Sequence, residues 1–177
     1  MERWIGTAVL LMSRLYRNEG MDTQKPWLNS LSWEKIKNLN ELLCKQQSII
    51  YQCNASYEAA RQLWEKSCSE SMSLQQVLDI CRRCYELAPF TFNNGNTFAT
   101  IGKNLVDEWV KTLPAVEGQI IRNTIGHYIA GMVSKKELAK VLAYFETSWK
   151  TYTAARQNLT PISMLLTAAQ SQHEQKA

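Results

Sequence analysis

The stretch SWEKIKNLNELLCKQQSIIYQCNASYEAARQLWEKS, Ser32 to Ser67, decides the reading of the fold. From Ile36 its apolar positions run Leu39, Leu43, Ile50, Cys53, Tyr57, Ala60 and Trp64, alternating three and four residues apart with only Gln46 polar on the stripe. Side chains three and four apart stand above one another on a helix, so this is the period of a helical face. Ser32 can cap its start, and neither Pro nor Gly interrupts it. The pattern therefore predicts one unbroken helix, about 50 Å long at 1.5 Å per residue. A break at Asn54 to Ser56 is the alternative. A three-four spacing held this long is what a left-handed helix pair buries, and a lone polar residue on such a seam resembles those that fix register. Leu39, Leu43, Ile50, Tyr57 and Trp64 are thus a candidate self-association interface, and equally a candidate core face.

The rest of the chain is also helical in pattern. Ser73-Leu74-Gln75-Gln76 and Ser134-Lys135-Lys136-Glu137 both fit the capping box, in which a hydroxyl and a side chain three residues on satisfy two free amides. The first opens a helix ending before Pro89, the second one carrying Leu138, Val141, Leu142, Phe145, Trp149 and Tyr152. Between them Phe98 to Val110 shares one apolar face, and Ala115 to about Val133 forms a further helix. That helix contains Gly118, Gly126 and Gly131, each costing about 1 kcal/mol in an exposed helix, which marks it as the buried central one. Thr160-Pro161 suits the start of a last helix. With seven Gly and four Pro in 177 residues there is little turn material for a β fold. The expectation is an all-α, single-domain bundle of six or seven helices with one long heptad-patterned helix. It divides into an N-terminal amphipathic segment at 1–20, a bundle at 21–170 and a polar tail at 171–177.

A net charge of +4 is mildly basic, but Lys and Arg are scattered among Asp and Glu, and the only adjacent basic pairs are Arg82-Arg83 and Lys135-Lys136. Nucleic acid is therefore not an expected partner. Five cysteines, an odd number, fit a reducing cytoplasmic setting better than a disulfide framework. The apolar run Trp4 to Met12 is too short to span a bilayer. It reads as an amphipathic helix packed on the domain, an interfacial membrane helix, or a start-site artefact with Met21 as the true first residue.

Few constellations carry chemistry. Cys81-Arg-Arg-Cys84 falls late in a helix, away from the N-terminus that activates a redox pair, and as zinc ligands it lacks a second close pair. The expectation is two reduced, buried thiols, with no metal and no cofactor. His127, beside Gly126, completes a thiol and base pair only if the fold brings a cysteine to it. The segment Phe90 to Thr97 is irregular and rich in amides, so Phe90, Phe92, Asn93, Asn94 and Asn96, together with His127, are candidate binding residues. Against this, both Phe can pack beneath the loop while the Asn side chains turn and cap it. Two functional readings follow: a non-catalytic helical protein-interaction module, self-associating or bound to another protein, and a small helical enzyme or ligand- and metal-binding bundle built from the loop, His127, Cys81 and Cys84. The absence of phosphate-loop, zincin and nucleophile-elbow motifs leans toward the first.

Overall fold

The computed structural model describes the backbone of residues 24–174 and the side chains of residues 24–155. Among the described residues the chain is all-α. Seven helices follow in order: α1 Trp33–Gln46, α2 Tyr57–Cys68, α3 Leu74–Leu87, α4 Asn94–Leu105, α5 Asp107–Val110, α6 Ala115–Ile129 and α7 Lys135–Glu174. Two isolated antiparallel bridges, Lys25 to Met72 and Cys53 to Phe90, are the extended pairings. Segment 1–20, the end of the polar tail and the expectations attached to them lie outside the described residues.

The stretch Ser32 to Ser67 is not one helix. It breaks into α1 and α2 around residues 47–56. Ser48 takes a left-handed conformation at φ 57°, and the amides of Ser48 and Ile49 turn back to the carbonyls of Lys45 and Cys44 at 3.2 and 2.9 Å. That bonding closes a helix C-terminus. Beyond it the chain is claimed by a distant loop. The Asn54 amide donates to the Pro89 carbonyl at 2.8 Å, the Thr91 amide to the Gln52 carbonyl at 3.0 Å, and the Asn54 side chain to the Ala88 and Phe90 carbonyls, both at 2.9 Å. β-branched Ile49 and Ile50 yield to this readily, because a helix restricts their rotamers. The presumed seam is therefore dispersed. Trp64 is fully buried in the core, Leu39 and Tyr57 pack partly buried against it, Leu43 is half-buried, and Ile50 stands 77% exposed on the connecting loop.

Both predicted capping boxes form. The Gln76 amide meets Ser73 Oγ at 3.3 Å and the Ser73 amide meets Gln76 Oε1 at 2.7 Å; Ser134 and Glu137 do the same at 3.2 and 2.8 Å. At the head of α4 the Asn94-Gly95 pair, a hairpin signal in sequence, instead lies in the first helical turn behind Asn93.

The core is centred on α6, which packs against α3, α4, α5 and α7. Its glycines explain the approach only in part. A Cβ at Gly118 would stand 2.6 Å from Val110 Cγ1, so α5 closes on that position. Gly131 is not inside the helix but past its end, at φ 79°, where it directs the Met132 amide onto the His127 carbonyl at 2.8 Å. One clasp joins three helices. The Tyr128 hydroxyl of α6 and the Lys135 ammonium of α7 both donate to the Asp79 carboxylate of α3, and Arg82 lies 5.1 Å from the Tyr128 ring. At the opening of the described chain, Lys25 lies over the rings of Trp27 and Trp109 at 4.1 and 4.9 Å.

The C-terminal end also departs from expectation. Thr160-Pro161 does not start a new helix, because α7 runs on through it for 40 residues. Ala154, Ala155, Arg156 and Gln157 are strong helix formers with no glycine among them, and one proline removes one intrahelical bond.

A sharper test of the packing lies on α4. A Cβ at Gly102 would meet Ile129 at 2.6 Å, Ile125 at 3.0 Å and Leu78 at 3.1 Å, whereas one at Gly95 finds only Tyr85 at 3.7 Å. Gly102→Ala is expected to destabilise by about 1–2 kcal/mol in denaturant unfolding, overpacking outweighing the helix-propensity gain. Gly95→Ala is expected to be neutral or stabilising in the same measurement.

Candidate functional site

The amide-rich loop is wired from within. Phe90 is fully buried and stacked on Trp33, with ring centroids 6.1 Å apart and planes 17° from parallel, and the rings of Tyr51 and Tyr57 stand at 5.8 and 5.9 Å. Asn94 clamps the same residue by its backbone, accepting from the Phe90 amide at 3.0 Å and donating to its carbonyl. Asn93, left-handed at φ 61°, presents its carbonyl to the Thr97 amide at 2.9 Å and hydroxyl at 2.8 Å. Its side chain reaches Cys44 Sγ at 3.5 Å, and Asn96 donates to its oxygen at 3.2 Å. Four of the five loop candidates thus serve the loop's own geometry. Phe92 is the exception, 45% exposed.

Sequence reasoning missed two residues of this network. Asn40 of α1 is fully buried and donates to the Phe92 carbonyl and Thr97 Oγ1, both at 2.9 Å. Asn54 bonds the loop from the other side. Asn40 left a signal, since Trp33, Ile36, Asn40 and Cys44 form the buried face of α1 and an amide inside an apolar stripe needs a partner. Asn54 left none. Leu42 on α1, Ile50 in the connection that follows it and Phe92 in the loop are exposed apolar side chains.

The fold does not bring the other candidates to this loop. Cys81 and Cys84 are buried on α3, where the Cys84 thiol lies 3.9 Å from the Ala60 carbonyl, while His127 is exposed on α6. Burial pushes the Cys84 thiol up to about 12 and raises Cys81 as well, so the thiolate that nucleophilic or redox chemistry requires is suppressed. All five cysteines are free thiols. Among the described residues no group of three or more His, Cys, Asp or Glu could hold a metal ion, and no helix is long and apolar enough to cross a membrane. Two open depressions, of about 230 and 330 Å³, lie beside Arg83 and include neither the loop, nor His127, nor a cysteine.

Asn40→Ala is expected to cost about 1–3 kcal/mol, because it leaves the Phe92 carbonyl and Thr97 hydroxyl short of a buried donor, whereas exposed Asn96→Ala should stay within about 0.5 kcal/mol. Denaturant midpoints of the two variants check this. For the thiols, alkylation of the native protein should label exposed Cys53 first and reach Cys81 and Cys84 only on unfolding. Their raised pKa also fixes a sign. The unfolded thiols ionise above about 8.5 while the folded ones stay protonated, so stability should fall as pH rises through that value toward the folded pKa. Cys84→Ala should flatten the loss in midpoint between neutral and alkaline pH. No protein-family model, curated protein or solved structure matches this chain.

Proposed function

We propose that this chain is a non-catalytic helical interaction module that presents α7 to another protein chain. The observation that carries the reading is the length of α7. Its 40 residues extend about 60 Å at 1.5 Å per residue, whereas α6, the helix packed along it, has 15 residues and covers about 22 Å. In proteins most helical stability comes from tertiary packing of an apolar face rather than from propensity, so a helix that outruns the neighbour packed along it favours a further contact. In sequence, apolar residues continue beyond α6's reach at Leu159, Ile162, Leu166 and Ala169, again three and four apart. The suppressed thiols of Cys81 and Cys84 on α3 and the exposed position of His127 on α6 support the non-catalytic half of the proposal. Self-association through Ser32 to Ser67 is not carried over, since that stretch is two helices with Trp64 in the core.

Hydrogen exchange tests the reading. On dilute full-length protein, amides of residues 156–174 should exchange at least roughly a hundredfold faster than those of α6, as expected for a helix without local tertiary stabilisation. Protection equal to that of α6 at low concentration would make the whole of α7 part of the monomer's core and end the proposal.

A further inference from the structure

We infer that Asn94-Gly95 is a deamidation site held shut by the loop that contains it, and that its conversion unlatches Phe90. Asn94 is the only asparagine followed by glycine in the chain. Glycine has no side chain to shield its nitrogen, so Asn-Gly is the pair in which a backbone amide most readily attacks the preceding side-chain carbonyl carbon. Hydroxide takes the proton of the Gly95 amide, the nitrogen bonds to Asn94 Cγ, and the Cγ–Nδ2 bond breaks with loss of ammonia. Water then opens the five-membered imide at either carbonyl, leaving aspartate or isoaspartate at position 94. The sequence of steps is redox-neutral and consumes only water.

In the folded chain the nucleophile is free and the electrophile is held. Gly95 lies in the first turn of α4, where amides have no intrahelical acceptor, and it is half-buried, with open space around its Cα except for Tyr85. Asn94 is pinned instead, its oxygen accepting from the Phe90 amide at 3.0 Å and its nitrogen donating to the Phe90 carbonyl. Ring closure needs the Gly95 nitrogen eclipsed with the Asn94 side chain about the Cα–C bond, which the helical ψ of about −42° does not provide. Both the clamp and the first turn must open first. Asn40 resists that opening through the Phe92 carbonyl and Thr97 Oγ1, while the Thr97 amide and hydroxyl close the turn on the Asn93 carbonyl. Asn54 resists it from the other side, at the Phe90 carbonyl. The product does not restore the clamp. Aspartate sets a carboxylate against the Phe90 carbonyl, and isoaspartate carries the main chain through its side chain, which adds a methylene group to the first turn of α4. Because the Phe90 ring packs on Trp33, Tyr51 and Tyr57, an opening that the intact protein reverses becomes a lasting loosening where those rings meet.

Peptide mass mapping of the full chain aged in mildly alkaline buffer, with and without urea, tests this through the mass gained when an amide becomes an acid. Conversion at Asn94 should run at least roughly tenfold slower in buffer than in urea, the native rate following the population of the open loop. Asn40→Ala and, independently, Asn54→Ala should raise the native rate severalfold and leave the rate in urea unchanged. Gly95→Ala should suppress conversion under both conditions. Wild type converted in urea and refolded should unfold at a lower denaturant midpoint than fresh protein, and Gly95→Ala treated in the same way should not. Equal rates in buffer and urea, or a native rate that neither asparagine variant raises, overturns the protection by the loop. No conversion in urea overturns the site itself, and converted protein with an unchanged midpoint overturns the unlatching.

Discussion

Phe90 sits fully buried against Trp33 of α1, Tyr57 of α2 and Tyr51 of the loop joining them, and its own backbone lies between α3 and α4. Four helices are thereby referred to one ring. Aromatic pairs of this kind add about 0.5–1.5 kcal/mol each beyond the area they bury. The geometry also forces polar groups of the loop inward, and three asparagines, Asn40, Asn54 and Asn94, satisfy them from α1, from the α1–α2 connection and from α4. An apolar contact and its polar consequence are here a single arrangement. Substituting the ring would leave carbonyls and amides aimed at partners whose positions it had set.

The second half of the core obeys a different constraint, close approach rather than aromatic contact. Gly102 of α4 lets Ile125 and Ile129 of α6 come within a distance that a methyl group would not permit, and Gly118 of α6 admits Val110 of α5 in the same way. Helices held this closely gain dispersion contacts on every facing side chain. Buried Cys81 and Cys84 belong to this tight packing as small apolar residues on α3, and the dry environment that makes them useful fillers is what disables them as reagents.

Against so enclosed a body, α7 is disproportionate. Its first half is anchored by Leu138, Phe145 and Trp149, all buried, and by the Asp79 clasp at its start. At 40 residues it is far longer than the 15-residue α6 that packs along it.

The sequence by itself determined the helical class, the starts of α3 and α7 through Ser73 and Ser134, and the burial of Cys81 and Cys84 on a helix face. These are local properties, set by the 3.6-residue period and by side chains within one turn of the amides they cap. The tertiary structure alone decided that Ser32 to Ser67 breaks, that Asn40 and Asn54 wire the loop, that Phe92 stays outward while Phe90 goes in, and that α7 passes through Pro161. Periodicity could not foresee the break, because the groups that compete for the backbone at residues 52–54 belong to residues 88–91, and a helical pattern carries no record of what a distant segment will offer its amides and carbonyls in exchange.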